Sequence, residues 1–370
     1  MMRAPSGMTD RPLDGFVVGV TADRRWEEQA ELLDRRGAHV IHAPVLKTLA
    51  LGREGGLRDA TTALLEQPPD VVIVNTGIGV RGWLSAADSW GMGSAVVSIL
   101  RGSRIVARGP KAVGAAATAG CEVEWLSPTG RLAGVVDYLI DGGIQDRRVA
   151  LQLDGSQCSD SADALRKAGA DVVTLPVYRW LPPEDATPVH RLADAIVNAS
   201  VDAVTFTSAP AVESLLALAG DRDLRGAFAE DVLPVCVGPV CRETAVAHGL
   251  VAAIEPERPL LGAMVSALAD ALIQRRWVVD TTAGELLFQG AAVVVNGIRI
   301  ELADRERAVL RALARRSGAV VAKRVLLREV WGDADADDHA LEVTIGRLRR
   351  RLGDGGSSVR TVMRRGYQLV

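Results

Sequence analysis

The carboxyl-terminal end of the chain shows a clear helical periodicity. Leu341, Ile345, Leu348 and Leu352 are spaced four, three and four residues apart, which places them in one narrow apolar stripe along a helix. The remaining faces of this helix are mostly basic and comprise Thr344, Gly346, Arg347, Arg349, Arg350 and Arg351. The pattern predicts a helix that packs along one side and meets negative charge along the other.

Two more helices and a hairpin are predicted around this one. The first helix turns Val309, Leu310 and Leu313 inward, and the second turns Val325, Leu326, Val330 and Trp331 inward. Two short β-like runs flank Arg364-Arg365-Gly366 and predict a basic hairpin. This is the layout of a winged helix-turn-helix, in which one helix enters the major groove and the hairpin contacts the neighbouring backbone. A solvated amphipathic helix that ends a small domain is the alternative.

The same region carries a longer set of marker residues. They are Leu302, Glu306, Leu310, Leu313, Val320, Val321, Leu326, Val330, Trp331-Gly332, Leu341-Glu342-Val343-Thr344-Ile345, Leu348-Arg349, Leu352, Thr361-Val362, Gly366-Tyr367 and Leu369. With them the region resembles the OmpR/PhoB family of winged-helix DNA-binding domains. Four positions depart from the family pattern, namely His339, Thr344, Gly346 and Arg364, so the resemblance does not carry over an operator sequence.

The OmpR/PhoB resemblance implies double-stranded promoter DNA as a partner. RNA polymerase and a second copy of the chain on DNA are further expected partners. The side chains expected to contact DNA are His339, Thr344, Arg347, Arg349, Arg350, Arg351, Thr361, Arg364, Arg365 and Tyr367.

Upstream, apolar runs typical of buried parallel strands alternate with helical patterns. Strands are predicted at 16–20, 38–44, 70–74, 104–107, 122–125, 148–153, 171–175, 202–207, 233–237 and 250–254. A helix is predicted at about 25–36, and the proline-rich residues 177–188 are predicted to be a crossing between two halves.

The two halves of this region repeat each other in a permuted order. Residues 70–84 match 202–216, residues 105–139 match 235–272, and residues 148–178 match 16–46. The opening β-α-β unit of the second half therefore stands at the start of the chain. The predicted fold class is α/β, with two parallel α/β lobes followed by a C-terminal winged helix-turn-helix. The predicted boundaries are a disordered leader at 1–13, lobe 1 at 14–45 plus 181–275, lobe 2 at 46–180, a linker at 276–284 and the winged helix at 285–370.

The segments GFVVGVTADRRWEEQAELLDRRGAHVIHAP, TFTSAPAV and VCVGPVCRETAVAHGL stand within this discontinuous repeat. With them the region resembles uroporphyrinogen-III synthase, the enzyme that closes and rearranges a linear tetrapyrrole. The resemblance implies a ligand cleft between two lobes and no cofactor. It also makes Tyr178 the candidate catalytic hydroxyl if the chain is an active enzyme, whereas packing between the lobes is the alternative role for this side chain.

Small and polar residues at the strand-to-helix junctions predict an anion-binding cleft. Helix starts present unpaired backbone N–H groups and the positive end of the helix dipole, so several facing one cleft favour a tetrapyrrole polycarboxylate or another polyanionic small molecule. The candidate ligand residues are Thr21, Arg24, Arg25, Asn75, Thr76, Gly77, Lys111, Ser127, Thr129, Thr207, Ser208 and Gly238. Ordinary helix capping is the alternative at any one junction.

Charge and cysteine content narrow the function classes. Residues 285–370 hold 16 basic and 11 acidic side chains, whereas the rest of the chain holds 27 basic and 35 acidic ones. A basic module on an acidic body fits nucleic acid for one part and a different ligand for the other. The four cysteines have no paired metal spacing, so we expect no metal site and a reduced cytoplasmic location. No apolar run approaches membrane-spanning length, so no membrane partner is expected.

Three functions are compatible with these features, and a transcription regulator that senses a small molecule is favoured. DNA binding rests on a dense set of marker residues, whereas synthase activity rests on a looser resemblance of fold. An active or bifunctional uroporphyrinogen-III synthase with a DNA-binding appendage is the alternative. A phosphorylation-driven response regulator fits least, because no acidic pair follows the first strand. Fusions of this type resemble actinobacterial regulators of nitrate and nitrite assimilation.

Overall fold

The computed structural model of the protein describes residues 11–51, 55–153, 155, 159–290, 292–332 and 337–370. Most of the predicted leader and Cys158 therefore lie outside the described residues. The chain forms two compact units: unit 1 is Met1–Val45 with Asp185–Val370, and unit 2 is Leu46–Glu184. Unit 1 contains an α/β lobe and the winged helix, and unit 2 contains a second α/β lobe, which confirms the predicted fold class.

Strands and helices largely alternate through both lobes. The strands are β1 (Val17–Val20), β2 (His39–His42), β3 (Lys47–Ala50), β4 (Val71–Val74), β5 (Arg104–Ala107), β6 (Trp125–Leu126), β7 (Arg148–Leu153), β8 (Asp171–Pro176), β9 (Tyr178–Leu181), β10 (Ala203–Phe206), β11 (Leu233–Cys236), β12 (Trp277–Thr281), β13 (Gly284–Gln289), β14 (Ala292–Val295), β15 (Ile298–Glu301), β16 (Val359–Val362) and β17 (Gly366–Leu369). The α-helices are α1 (Trp26–Asp34), α2 (Gly55–Glu66), α3 (Gly77–Ser89), α4 (Gly93–Gly102), α5 (Pro110–Thr118), α6 (Leu132–Asp141), α7 (Ser159–Lys167), α8 (Thr187–Val197), α9 (Ala209–Leu218), α10 (Leu224–Glu230), α11 (Pro239–Ala247), α12 (Leu261–Gln274), α13 (Asp304–Ala314), α14 (Lys323–Trp331) and α15 (Asp338–Arg351). A 3₁₀ helix spans Gly353–Ser358.

The lobe of unit 1 is built on a parallel sheet in the order β11-β10-β1-β2. Strand β1, at the start of the chain, therefore pairs with β10, which follows unit 2 in the sequence, as the permuted repeat predicts. Val18 and Val20 face a core that includes Leu33 of α1 and Leu268 of α12. Both faces of such a sheet are covered by helices, which is why its strands are continuous apolar runs.

Unit 2 repeats the arrangement with a parallel sheet in the order β6-β5-β4-β7-β8. Val72 and Val74 of β4 belong to one core cluster, and Val71 and Ile73 belong to another on the opposite face. Strands β3 and β9 pair antiparallel in a separate two-stranded ribbon. The ribbon extends unit 2 to Glu184, four residues beyond the predicted boundary of lobe 2.

The winged-helix domain packs α13, α14 and α15 against two sheets. Strands β12 to β15 form an antiparallel meander, and β16 pairs with β17 as the wing. The apolar stripe of α15 enters a shared core, in which Leu341, Ile345 and Leu348 are almost fully buried. At about 25 cal/mol per Å² of apolar surface, each such side chain contributes roughly 1.5–3 kcal/mol to folding.

Several local predictions were wrong. The expected linker at 276–284 contains β12 and the start of β13, because Trp277, Val279 and Leu286 are part of the winged-helix core. The end of the expected leader is ordered, since Leu13 is fully buried and its N–H donates to Arg36 O at 2.7 Å. The strand expected at 250–254 is reduced to one bridge between Val235 and Ile254, and the strand expected at 122–125 is the short β6.

Candidate DNA-binding face and candidate ligand-binding edges

The helix α15 is anchored by a cap and a buried face and leaves two arginines exposed. Its amino end is capped by Asp337, whose carboxylate accepts from Ala340 N at 2.9 Å. One face is buried in the core, whereas Arg347 and Arg350 are exposed one turn apart on the other side. His339, in the first turn, is also exposed. This face presents two permanently charged guanidinium groups that suit base edges or phosphates.

The wing adds further positive charge. Arg364 and Arg365 lie in the turn between β16 and β17 and are exposed, and Arg364 has a φ of 59°. Arg360 on β16 is exposed as well, although it is not among the predicted DNA contacts. The alternation of the strand gives the reason for its exposure: Val359 is buried, so its neighbour Arg360 points to the opposite face.

Five of the ten predicted DNA contacts are buried or hydrogen-bonded within the domain, namely Thr344, Arg349, Arg351, Thr361 and Tyr367. Thr344 is almost buried and its hydroxyl donates to Ala340 O at 2.8 Å. Tyr367 is 3% exposed, and burial raises the pKa of its phenol. Both side chains are therefore withdrawn from the surface that DNA would meet.

Arg349 and Arg351 are engaged by backbone carbonyls on either side of α15. Arg349 Nε donates to Val359 O at 2.7 Å, and its Nη2 donates to the hydroxyl of Thr361 at 2.9 Å. Arg351 Nη1 donates to Glu301 O at 2.9 Å. Arg349 thus ties the helix to the wing, and Arg351 ties it to the meander. The run of arginines in the sequence does not show which of them reach these carbonyls. Consecutive side chains of a helix point about 100° apart, so each arginine meets different surroundings.

Lys323 neutralises two carboxylates on the exposed side of α15. Its ammonium lies 2.6 Å from the carboxylate of Glu342 and 2.9 Å from that of Asp338. Hydrogen bonds to these two side chains raise the pKa of Lys323. Both carboxylates on the amino half of α15 are therefore neutralised by a cation from α14, which lowers their repulsion of DNA phosphates.

Gly346 offers a stability test that is independent of DNA. It lies inside α15 with a helical backbone, and a Cβ at this position would meet no atom within 4 Å. Gly346→Ala is therefore expected to stabilise the winged-helix domain by about 1 kcal/mol, because alanine loses less backbone entropy in a helix. Urea denaturation followed by circular dichroism measures the change. A loss of stability would mean that this face of α15 is covered.

The carboxyl edge of the sheet in unit 1 brings together three of the predicted junctions. The hydroxyl of Thr21 is buried and donates to Thr205 O at 2.7 Å, so it is withdrawn from any ligand. Ser208 and Gly238 are the N-caps of α9 and α11, and neither helix has a side-chain cap. Thr207 is half-buried beside Ser208. The first turns of these helices contain Pro210 and Pro239, which have no N–H group, so an anion would be bound by the first-turn N–H groups that remain.

Arg24 and Arg25 follow the end of β1 and are both exposed. Arg25 forms a bidentate ion pair with Glu28, at 2.7 and 2.8 Å. An exposed pair of this kind is weak, so Arg25 is available to an anion only in exchange for Glu28.

In unit 2 the junction after β4 is already satisfied by a side chain. Gln152 of β7 is fully buried, and its Oε1 accepts from the N–H groups of Asn75 and Thr76, each at 3.2 Å. Thr76 in turn caps α3 by accepting from Gly79 N at 3.1 Å. The expectation of unpaired N–H groups is therefore wrong for Asn75 and Thr76, because an amide from the neighbouring strand supplies the acceptor. Gly77 meets Lys111 O so closely that a Cβ would lie 2.3 Å away.

The other predicted residues of unit 2 divide between the edge and the core. The hydroxyls of Ser127 and Thr129 are 3.1 Å apart, and Ser127 donates to Arg131 O at 3.2 Å. Lys111 is exposed in the first turn of α5, a helix that also lacks a side-chain cap. Tyr178 is 6% exposed and packs edge-on against Trp180 at 5.9 Å. Its surroundings are those of a core residue.

Metal ligands and membrane-spanning helices were both expected to be absent. Within the part of the chain that the structure describes, no three His, Cys, Asp or Glu residues are grouped so that they could hold a metal ion. Among the same residues, no helix has the length and apolar character needed to cross a bilayer.

Comparisons with known proteins match two families to successive parts of the chain, and the first match includes residues of both structural units. The family described as uroporphyrinogen-III synthase HemD matches residues 27–266, and the family described as transcriptional regulatory protein, C terminal, matches residues 297–369. A putative uroporphyrinogen-III synthase of Methanothermobacter thermautotrophicus is 29% identical over 248 residues, which cover 66% of this chain and 94% of that protein. The transcriptional regulatory protein PrrA of Mycobacterium tuberculosis is 36% identical over 108 residues, which cover 27% of this chain and 46% of that protein.

Among solved structures, a mutant uroporphyrinogen III synthase from Thermus thermophilus is similar to the amino-terminal region. It shares 29% identity with a TM-score of 0.58, and the match covers 70% of this chain and 99% of that chain.

Proposed function

Because the chain belongs to the uroporphyrinogen-III synthase HemD family and ends in an OmpR-type DNA-binding domain, we propose that it is a transcription regulator whose HemD-like domain senses a small molecule. The observation that carries the proposal is the state of the arginines on α15. Arg349 and Arg351 donate to Val359 O and Glu301 O of neighbouring segments, whereas the exposed Arg347 and Arg350 lie opposite the core, where Arg350 Nε donates to Gly346 O of its own helix at 3.4 Å. A helix whose apolar face is buried in the core and whose other face is exposed and cationic suits duplex DNA.

The proposed ligand is a tetrapyrrole polycarboxylate or a similar polyanion. Support comes from α5, α9 and α11, which all begin at the carboxyl edge of a parallel sheet without a side-chain cap. The backbone N–H groups of such helix ends bind carboxylates without requiring a cationic side chain.

The proposed target genes are those of nitrate and nitrite assimilation. The support is chemical: assimilatory nitrite reductases use sirohaem, which derives from uroporphyrinogen III. A sensor on the scaffold of uroporphyrinogen-III synthase would match reductase synthesis to the supply of its cofactor. RNA polymerase and a second copy of the chain are proposed as partners on the promoter, and the cytoplasm is the proposed location.

A ligand-dependent stability shift tests the sensing half of the proposal. Uroporphyrin III in hundredfold excess over its Kd is expected to stabilise the full chain by about 2.7 kcal/mol, since ligand that binds only the folded state adds RT ln(1 + [L]/Kd). Ser208→Glu places a carboxylate at the start of α9 and should abolish most of this shift. Ser98→Glu, an exposed position on α4, should retain it. Differential scanning fluorimetry provides the readout, and an equal shift in both variants would rule out the edge of unit 1.

The alternative function, an active synthase with a DNA-binding appendage, is favoured by one observation. The similarity to the Thermus thermophilus synthase extends over 99% of that enzyme. Hydroxymethylbilane supplied to the full chain separates the two functions, because an active enzyme converts it to the rearranged uroporphyrinogen isomer faster than it cyclises spontaneously. Loss of that activity in Tyr178→Phe, with folding retained, would assign the hydroxyl a catalytic role.

A further inference from the structure

The first helix of the winged-helix domain carries three arginines that point to the lobe of unit 1. Arg307, Arg311 and Arg315 are four residues apart, so they lie along one side of α13. We call them the arginine ladder. Arg307 Nη2 donates to Ala199 O at 2.9 Å, and Arg315 Nη2 lies 2.8 Å from the carboxylate of Asp231. The ladder therefore attaches α13 to the loops that flank β10 and β11.

The middle of the ladder faces a carboxylate inside the lobe. Asp202 has a 12% exposed side chain, and its Oδ2 accepts from Val17 N at 2.8 Å. Arg311 Nη2 is 3.8 Å from Asp202 Oδ1 and donates to Gly290 O at 3.2 Å. Burial raises the pKa of Asp202, and the charge of Arg311 opposes that rise. Removing one member of such a pair leaves the other charge buried and uncompensated.

The backbones of the lobe and the meander also approach closely at this place. Gly290, with a φ of 59°, follows β13, and a Cβ on it would lie 2.6 Å from Gly15 O. A polar contact comes from Arg299 of β15, which pairs with the carboxylate of Asp14 in the lobe. Gly15 and Gly290 have no Cβ, which permits this close approach of the two backbones. The lobe and the meander are therefore closely packed here.

The covalent connection between the lobe and the winged helix is short. α12 ends at Gln274 and β12 begins at Trp277, so only two residues intervene. Both are held: Arg275 Nη1 donates to Asp231 O at 3.2 Å, and the guanidinium of Arg276 lies 5.6 Å from the ring centre of Phe16. The connection therefore has no slack that would let the winged helix swing freely.

We infer that the arginine ladder, with Asp202 at its centre, is the joint through which the HemD-like domain controls the orientation of the DNA-binding domain. Only two residues connect α12 to β12, so a change at the joint changes how the winged helix is oriented on the lobe of unit 1. The claim that the joint controls DNA binding rests on the proposed function. The contact between the lobe and α13 does not depend on that function.

The position of Asp202 explains how the joint communicates with the ligand edge. Asp202 immediately precedes β10, and Val17 is the first residue of β1, so both lie at the amino edge of the parallel sheet. The carboxyl ends of the same two strands lead to Thr21 and Thr207. A displacement along β1 or β10 is thus delivered directly to Arg311. A cavity of about 300 Å³ beside the joint, lined by Phe16, Asp202, Arg275, Trp277, Phe288 and Arg311, leaves room for a second arrangement.

The joint is tested in the full chain by removing Arg311 and Arg315 of the arginine ladder together. Arg311→Ala with Arg315→Ala is compared with Arg328→Ala, an exposed arginine of α14 that is outside the joint. Hydrogen exchange of α13 and of the amino ends of β1 and β10 is expected to become at least about tenfold faster in the ladder variant only. Exchange in β16 and β17 should stay unchanged. Equal exchange in the ladder and control variants would overturn the joint.

Two further measurements extend this test. If the ladder variant does not fold, Arg315→Glu alone, at a 56% exposed side chain opposite Asp231, should still accelerate exchange in α13. Uroporphyrin III is then titrated against promoter binding. The porphyrin effect on DNA affinity should be present in the control and lost in the ladder variant, with affinity in the absence of porphyrin within about twofold of the control.

The outcomes separate the inference from the proposed function. A porphyrin effect that persists in the ladder variant overturns the joint as the route of communication. A full chain that binds no promoter DNA contradicts the proposed function, while the exchange data still decide whether the joint exists.

Discussion

The double variant Arg347→Ala with Arg350→Ala is expected to bind promoter DNA about 2–6 kcal/mol more weakly than the unchanged chain, since each arginine that contacts a base edge or a desolvated phosphate contributes roughly 1–3 kcal/mol. The two side chains are exposed on α15, and their backbone belongs to a helix anchored by the core. Their loss should therefore leave folding intact. Fluorescence anisotropy with a labelled promoter duplex measures the effect, and the salt dependence of log K should become shallower by about two.

Arg328→Ala is the matched control, because it removes one exposed arginine from α14 without touching α15 or the wing. Its affinity should stay within about threefold of the unchanged chain. If the double variant retains the affinity of the control, the exposed side of α15 is not the DNA-binding face.

Gly366→Ala is expected to destabilise the winged-helix domain by roughly 2–4 kcal/mol, combining backbone strain with overpacking. Gly366 has a φ of 136°, and a Cβ there would lie 2.0 Å from Val321 O. The neighbouring residue Tyr367 exchanges two hydrogen bonds with Val321, at 2.7 and 2.9 Å. The wing strand and the segment before α14 must therefore separate or distort.

Thermal denaturation of the full chain measures this loss, and the transition of the winged-helix domain should fall by several degrees or more. Gly346→Ala provides the contrast within the same domain, because it adds the same methyl group where there is open space. Equal stability changes in the two variants would mean that the approach of β17 to Val321 is not a constraint on the fold.

The parts of the fold that could be predicted from sequence are those with a strong, local period. The stripe of Leu341, Ile345 and Leu348 located α15 because nothing else accounts for that spacing. The permuted repeat located the two lobes because matching segments must form matching strands. The meander β12–β15 was missed, since its residues 276–284 contain a glycine and polar residues that also suit a linker. Its strands are defined by pairing with each other and by packing on α13.

The sequence predicted which residue types form the candidate site. It did not predict which of these residues already have hydrogen-bond partners within the protein. Arg347 and Arg349 are equivalent in the sequence, yet one is exposed and the other is bound to Val359 O. Asn75 and Thr76 have the composition of an anion-binding turn, but Gln152, which lies 77 and 76 residues away in the sequence, accepts from their N–H groups. Long-range partners of this kind leave no trace in local spacing. The i, i+4, i+8 spacing of the arginine ladder was visible in the sequence, although its acidic partners were not.

The central claim is that the exposed cationic face of the winged helix binds duplex DNA specifically. The most direct measurement is a titration of the full chain with a promoter fragment of the proposed nitrate- and nitrite-assimilation genes and with a scrambled duplex of equal length, over a range of salt concentrations. We expect tighter binding to the promoter by at least about 10³-fold and log K that falls linearly with log salt, by about 0.9 for each phosphate neutralised. Equal affinity for both duplexes, or affinity without salt dependence, would contradict the claim.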